Sequence, residues 1–185
     1  MVRLRSPDLR TGGAFAIAAG VQYALLGAVL LVDPRTSTWH AADYAAYSLF
    51  AGASIAALAT LLALRRAEMQ LLGRLGKAGF VIASLGLGGL ILVAVDRIQA
   101  GAEPADALLI LAFLLAAVGY LAVGWATWRA GTLPIWAAFL PAAGVVGAVV
   151  LEDAHGAGVW QGLVWIALGV TLRRAPLHAA TSSHH

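Results

Sequence analysis

Six polar residues stand inside long stretches that carry no charge: Gln22, Tyr23, Ser54, Ser84, Tyr120 and Gln161. Amides and hydroxyls set among apolar side chains can hold a small, weakly polar solute by directed hydrogen bonds, with aromatic rings as walls. Trp160 joins them as a ring able to line such a pocket. A second set is acidic and lies between the stretches: Asp33, Asp96, Asp106, Glu152 and Asp153, with Asp43, His40 and His155 close by. These acids could donate protons to a lipid or isoprenoid held over aromatic faces. They could also ring a mouth and draw cations to it, or hold a divalent metal through His40, His155 and Asp153. Plain structural readings stand beside these: Asp43 and Asp106 suit helix N-termini, and Asp33-Pro34 reads as a turn. With no cysteine in the chain, disulfides, thiolate nucleophiles and Cys-ligated metals are excluded. No cofactor is implied.

The elements that must carry these residues follow from where charge is missing. Windows 11–32, 44–64, 78–95, 107–128, 130–151 and 154–172 contain no Asp, Glu, Lys or Arg. Each has about the length of a helix crossing a roughly 30 Å hydrocarbon core. Backbone polar groups find no water there, so such runs must be helical. The prediction is an all-α polytopic membrane protein, with helices at about 11–32, 44–64, 78–95, 107–128, 133–151 and 155–172. Residues 1–174 form one membrane domain and 175–185 a flexible tail. No Asp, Glu, Lys, Arg or His is expected inside the membrane, which argues against proton-coupled transport, ion pumping and haem ligation within the bundle.

The charges between the windows are sorted by sign. Arg3, Arg5, Arg10, Arg65, Arg66, Arg74, Lys77, Arg129, Arg173 and Arg174 lie on one side, and only Arg35 and Arg97 on the other, ten against two. The acids follow the reverse order, with only Asp8 and Glu68 on the basic side. By the positive-inside rule both termini face the cytoplasm of a plasma membrane. The basic face would attract anionic lipid headgroups, so no nucleic acid is needed to explain the net positive charge. Segment 65–77, with Leu71, Leu72 and Leu75 among four basic residues, reads as a short surface helix or as a solvated loop.

Shifting the chain by 63 residues superposes Asp33, Asp43, Phe50 and Arg66 on Asp96, Asp106, Phe113 and Arg129. Gly27-Ala-Val-Leu-Leu-Val-Asp33 parallels Gly147-Ala-Val-Val-Leu-Glu-Asp153. The windows then form three helical hairpins in parallel internal repeat. Small residues recur four apart, at Gly158/Gly162, Gly144/Ala148, Gly52/Ala56 and Ser84/Gly88. They fit close packing inside the bundle or a homo-oligomer interface. Pro141 lies near mid-membrane, where it should kink the fifth helix. Trp125, Trp128 and Trp136 mark one membrane interface, and Trp39, Tyr44 and Tyr47 the other.

Val32-Asp-Pro-Arg-Thr-Ser-Thr38 resembles the first loop of the urea/amide channel family, and Trp160-Gln-Gly-Leu-Val-Trp-Ile-Ala-Leu-Gly-Val170 resembles its last helix. The resemblance implies six helices in three hairpins. The family's central aromatic-rich signature has no counterpart here, and the charge bias puts the first loop on the opposite side. In size and helix number the chain also resembles the substrate-binding components of vitamin transporters, and Arg129-Ala-Gly-Thr-Leu-Pro134 is similar to stretches in many small bacterial membrane proteins. The expected function is a channel, transporter or binding component for a small weakly polar solute. The rivals are a membrane-embedded enzyme acting on a lipid, using the outer acids, and a non-catalytic assembly subunit.

Overall fold

The computed structural model describes residues 6–32, 41–68, 73–100, 106–151 and 156–174. These form six helices: α1 (Ser6–Val32), α2 (Ala41–Glu68), α3 (Gly73–Ala100), α4 (Asp106–Arg129), α5 (Ile135–Leu151) and α6 (Ala157–Arg174). Four of them, over Asp8–Val32, Ala41–Ala67, Gly73–Ala100 and Ala107–Arg129, are long and apolar enough to cross a membrane. α5 is apolar but has 17 residues, and α6 has 18 with Arg173 and Arg174 in its last turn. The expectation of six equivalent spans therefore meets four long helices and two shorter ones.

The helices also run past the charge-free windows. Arg10 lies within α1, Arg65 and Arg66 end α2, Arg74 and Lys77 begin α3, and Arg97 belongs to the last turn of α3. Of segment 65–77, then, the described basic residues are helix ends. Long basic side chains can extend from a spanning helix along its apolar surface to the polar interface, so charge does not stop a helix where it stops a window. Arg65 lies over the Phe80 ring at 4.6 Å and Arg129 over Trp125 at 5.9 Å, guanidinium to ring centroid. Trp125 itself packs edge-on to Trp128.

Each helix packs on its neighbours in sequence, and α6 closes the ring on α1. Two seams are held by missing side chains. Along α1 and α6, Gly13 meets Gly169, Gly20 meets Gly162 and Gly27 meets Gly158, backbone against backbone. Along α3 and α4, Gly79, Ala83 and Gly86 meet Gly119, Ala116 and Ala112. In lipid, apolar burial does not drive helices together, and such close approach supplies the dispersion contacts instead. The Gly158/Gly162 pair is thus occupied inside the bundle. Thr60 reinforces the ring, its hydroxyl reaching the Ala56 carbonyl at 3.0 Å and the Gly12 carbonyl of α1 at 3.3 Å.

The outward faces carry the large aliphatic side chains, among them Leu85, Leu92, Leu108, Leu114, Val150 and Leu163, all exposed. A water-facing bundle would bury them; a lipid-facing one need not. Between α4 and α5 the chain turns at Gly131, whose φ of 70° is left-handed. Its N–H bonds the Trp128 carbonyl at 2.9 Å, and the Thr132 N–H bonds the Thr127 carbonyl at 3.2 Å, the pair of bonds that closes a glycine-terminated helix. Pro134 follows at once, and its carbonyl accepts from Ala138 at 3.0 Å, opening α5. Pro141 lies inside α5 and is buried.

Candidate functional site

All six helices contribute to one cavity of about 320 Å³ on the ring axis. It occupies the half of the bundle in which α1, α3 and α5 end and α2, α4 and α6 begin. Helical rise orders its lining into two levels. Arg97 of α3, Tyr47 of α2, Leu109 of α4 and Ala157 of α6 lie nearer the helix ends. One turn deeper come Val93, Phe50, Phe113 and Gln161 on the same helices, and Tyr23 of α1 joins them. Phe50 stands between two rings, edge-on to Tyr23 and tilted against Phe113, with both centroid distances 6.2 Å. The 63-residue shift had superposed Phe50 on Phe113, and here the two touch.

The cavity is closed below. Tyr120, two turns beneath Phe113, packs edge to face on Trp165, one turn beneath Gln161, at 5.9 Å. The void beyond them is about 20 Å³, room for about one water. Thr60, Thr127, Leu133, Pro141 and Leu168 fill in around it. Among the described residues the shape is a cup and not a passage.

The charge-free windows put Arg97 in an outer loop; it belongs instead to the last turn of α3, with its side chain 3% exposed. Its guanidinium lies 4.9 Å from the Tyr47 ring centroid and donates through Nη1 to the Tyr47 hydroxyl, while its Nε is buried with no hydrogen-bond partner. Asp43 is also buried, 8% exposed in the first turn of α2. There a carboxylate faces the free N–H groups and positive end of the helix dipole. It is the third residue of α2 and not its cap.

The predicted solute-binding residues separate. Tyr23 and Gln161 line the cup, and Tyr120 lies in its floor. Ser54 is fully buried behind Tyr23, the two hydroxyls 3.4 Å apart. The Gln161 side-chain oxygen has no partner and points at Gly144 of α5, where a Cβ would stand only 2.7 Å away. Gln22 lies over Gly52, between α1 and α2. Ser84 is half-buried on α3 with an unpartnered hydroxyl, away from the cup lining. Trp160 lies on the outer surface, its indole N–H donating to the Ala143 carbonyl at 3.2 Å.

Of the acids, Asp96 is exposed beside an outer groove of about 360 Å³ between α3 and α4, turned away from the cup by the helical step that turns Arg97 into it. Asp106 opens α4. Asp33, His40, Glu152, Asp153 and His155 lie outside the described residues, and within those residues no three His, Asp or Glu gather. Tyr47, assigned from sequence to an interfacial belt, and Phe50 and Phe113, given no site role, are cup residues. Compared with known proteins, the chain matches no family model, no curated protein and no solved structure.

Proposed function

We propose that the chain is an integral membrane protein of the binding or transport-component type, whose six-helix ring holds one small solute in the axial cup. The single observation that carries this reading is the 320 Å³ cavity lined by every helix. At about 30 Å³ per water-sized group, it has room for roughly ten non-hydrogen atoms. Its walls are mostly apolar, with a few convergent polar groups, the usual makeup of a small-molecule site. The closed floor favours a binding component over an open channel.

We test the reading with soluble solutes of cup size: 3-phenylpropanoate, its amide, and 3-phenylpropylamine. At least one should raise the melting temperature of the purified protein saturably, since a ligand at a hundred times its Kd stabilises by about 2.7 kcal/mol. Ala46, fully buried beside the cup, supplies the control. Ala46→Phe places a ring in the cavity and should weaken binding tenfold or more with the fold intact. No stabilisation by any of the three solutes, or equal binding by the variant, would sink the proposal.

For orientation we propose a plasma-membrane, multi-pass protein with all six helices crossing, both termini cytoplasmic and the cup opening away from the cytoplasm. The ten-to-two distribution of basic residues supports it. On this reading the basic ends lie beside anionic headgroups and the helices pair as three hairpins. Because the chain has no cysteine, single cysteines report side directly. Ala130→Cys should resist a membrane-impermeant maleimide in intact cells and Ala102→Cys should react; the reverse pattern would invert the topology.

A further inference from the structure

We propose that the cup selects an acid: a small monoanion, a carboxylate on an apolar body, held with its headgroup at Arg97 and its body against Phe50 and Phe113. The inference rests on the reading of the cavity as a solute-binding cup and adds the charge of what it takes.

The argument starts from the cost of Arg97. A guanidinium keeps its charge at any physiological pH and presents five N–H donors. Moved out of water, it is stable only when its charge is matched and its donors are bonded. Here the side chain is 3% exposed, yet among the described residues its partners are one phenol and one ring face, both from Tyr47. The Tyr47 phenol is an acceptor that brings no carboxylate to the contact, and among the described residues Nε has no hydrogen-bond partner. An arginine needing only solvation could extend past the end of α3 into the interface, three residues away. This one is turned into the cavity that all six helices enclose. Ionisable groups buried in a membrane bundle mark the path or site of what the protein handles.

The rest of the lining fixes the other features. Apart from Arg97, every described cavity-lining residue is uncharged, so among these residues an acid's charge meets one cation. One cation matches one anionic charge, and a carboxylate can take two N–H groups of the planar fork at once. Phe50 and Phe113 stand one helical turn deeper, the place for an apolar body. Tyr47, stacked on the guanidinium, holds it at the mouth and is a positioning residue.

The experiment compares 3-phenylpropanoate, its amide and 3-phenylpropylamine, three probes of one shape that at neutral pH are anionic, neutral and cationic. Calorimetry on purified full-length protein should give the acid at least tenfold tighter binding than the amide, with the amine weakest. In Arg97→Gln the acid should lose tenfold or more and fall to within about threefold of the amide, while an unchanged helical circular dichroism spectrum and a cooperative melt show that the variant is folded. Arg97→Lys should keep part of the acid preference, since the charge remains and the fork is lost. Equal binding of acid and amide by the wild type, or preference for the amine, overturns the proposal and leaves the cup standing. Acid preference that survives in Arg97→Gln overturns it as well. Binding of none of the three removes the cup and the charge selection together.

Discussion

Gly20→Val is expected to unfold the ring or halve its yield of folded protein, whereas Gly88→Val changes its melting temperature by no more than a degree or two. A Cβ at Gly20 would stand 2.6 Å from the Gly162 carbonyl oxygen and 2.7 Å from the Ile166 nitrogen of α6. Both obstacles are helix backbone, so neither can turn aside as a side-chain tip would. Relief requires α1 and α6 to separate, which also loosens Gly13 from Gly169 and Gly27 from Gly158. Overpacking a well-filled site costs roughly 1–3 kcal/mol, occasionally more, and a whole seam parting belongs at the upper end. Natural proteins hold only about 5–15 kcal/mol in reserve. At Gly88 the same Cβ meets nothing within 4 Å, and trading glycine for a residue with better helix propensity offsets what little is disturbed. Thermal unfolding in detergent, followed by helical circular dichroism, separates the two variants. Should Gly20→Val melt within two degrees of the wild type, α1 and α6 do not approach as described.

The glycine seam shows what such a chain displays openly. Glycine and alanine at four- and seven-residue spacing in uncharged stretches have few uses except close helix approach, so Gly158 and Gly162 could be read before any partner was known. Which helix they meet was hidden, because Gly13, Gly20 and Gly27 of α1 look the same on paper as Gly79 and Gly86 of α3. Only the closing of the ring pairs α1 with α6.

The cup was half legible for a different reason. Tyr23, Gln161 and Tyr120 are polar where polarity is scarce, and that singles them out. Phe50 and Phe113 are rings among many apolar residues, and nothing but position distinguishes an axial ring from a lipid-facing one. Arg97 was lost because windows were cut at the first charge. A periodicity reading would have kept it. Gly86, Leu90 and Val93 lie on the buried face of α3, and the next step along that face is residue 97. Asp96, one residue earlier, falls about 100° around the helix and points outward. An Asp-Arg pair at the end of an apolar helix looks like an ordinary polar boundary, and two adjacent charges with opposite fates are separable only by the face each occupies.

Arg97→Met is expected to make the ligand-free protein more stable, by about 1 kcal/mol, while removing its preference for acids. Two effects oppose each other. The substitution loses the bond from Nη1 to the Tyr47 hydroxyl and the contact with the Tyr47 ring, interactions worth together roughly 1–3 kcal/mol. It also removes a charge that is 3% exposed and an Nε with no partner, a desolvation burden of several kcal/mol per buried ion. Methionine is unbranched and flexible, so it can fill the space beside Val93 and Leu109 without strain. Among the described residues Arg97 has no carboxylate partner, so deletion leaves no stranded opposite charge there of the kind that makes breaking a buried pair so damaging. The second effect therefore wins, narrowly. Were Arg97 a structural pin whose task is to anchor Tyr47, the sign would reverse, and Arg97→Met would melt lower than the wild type. Thermal melts of both proteins without ligand read that sign directly. Adding 3-phenylpropanoate at about a hundred times the wild-type Kd should then stabilise the wild type by about 2.7 kcal/mol and Arg97→Met by about half of that or less, because the group that destabilises the empty cup is the one that holds the acid.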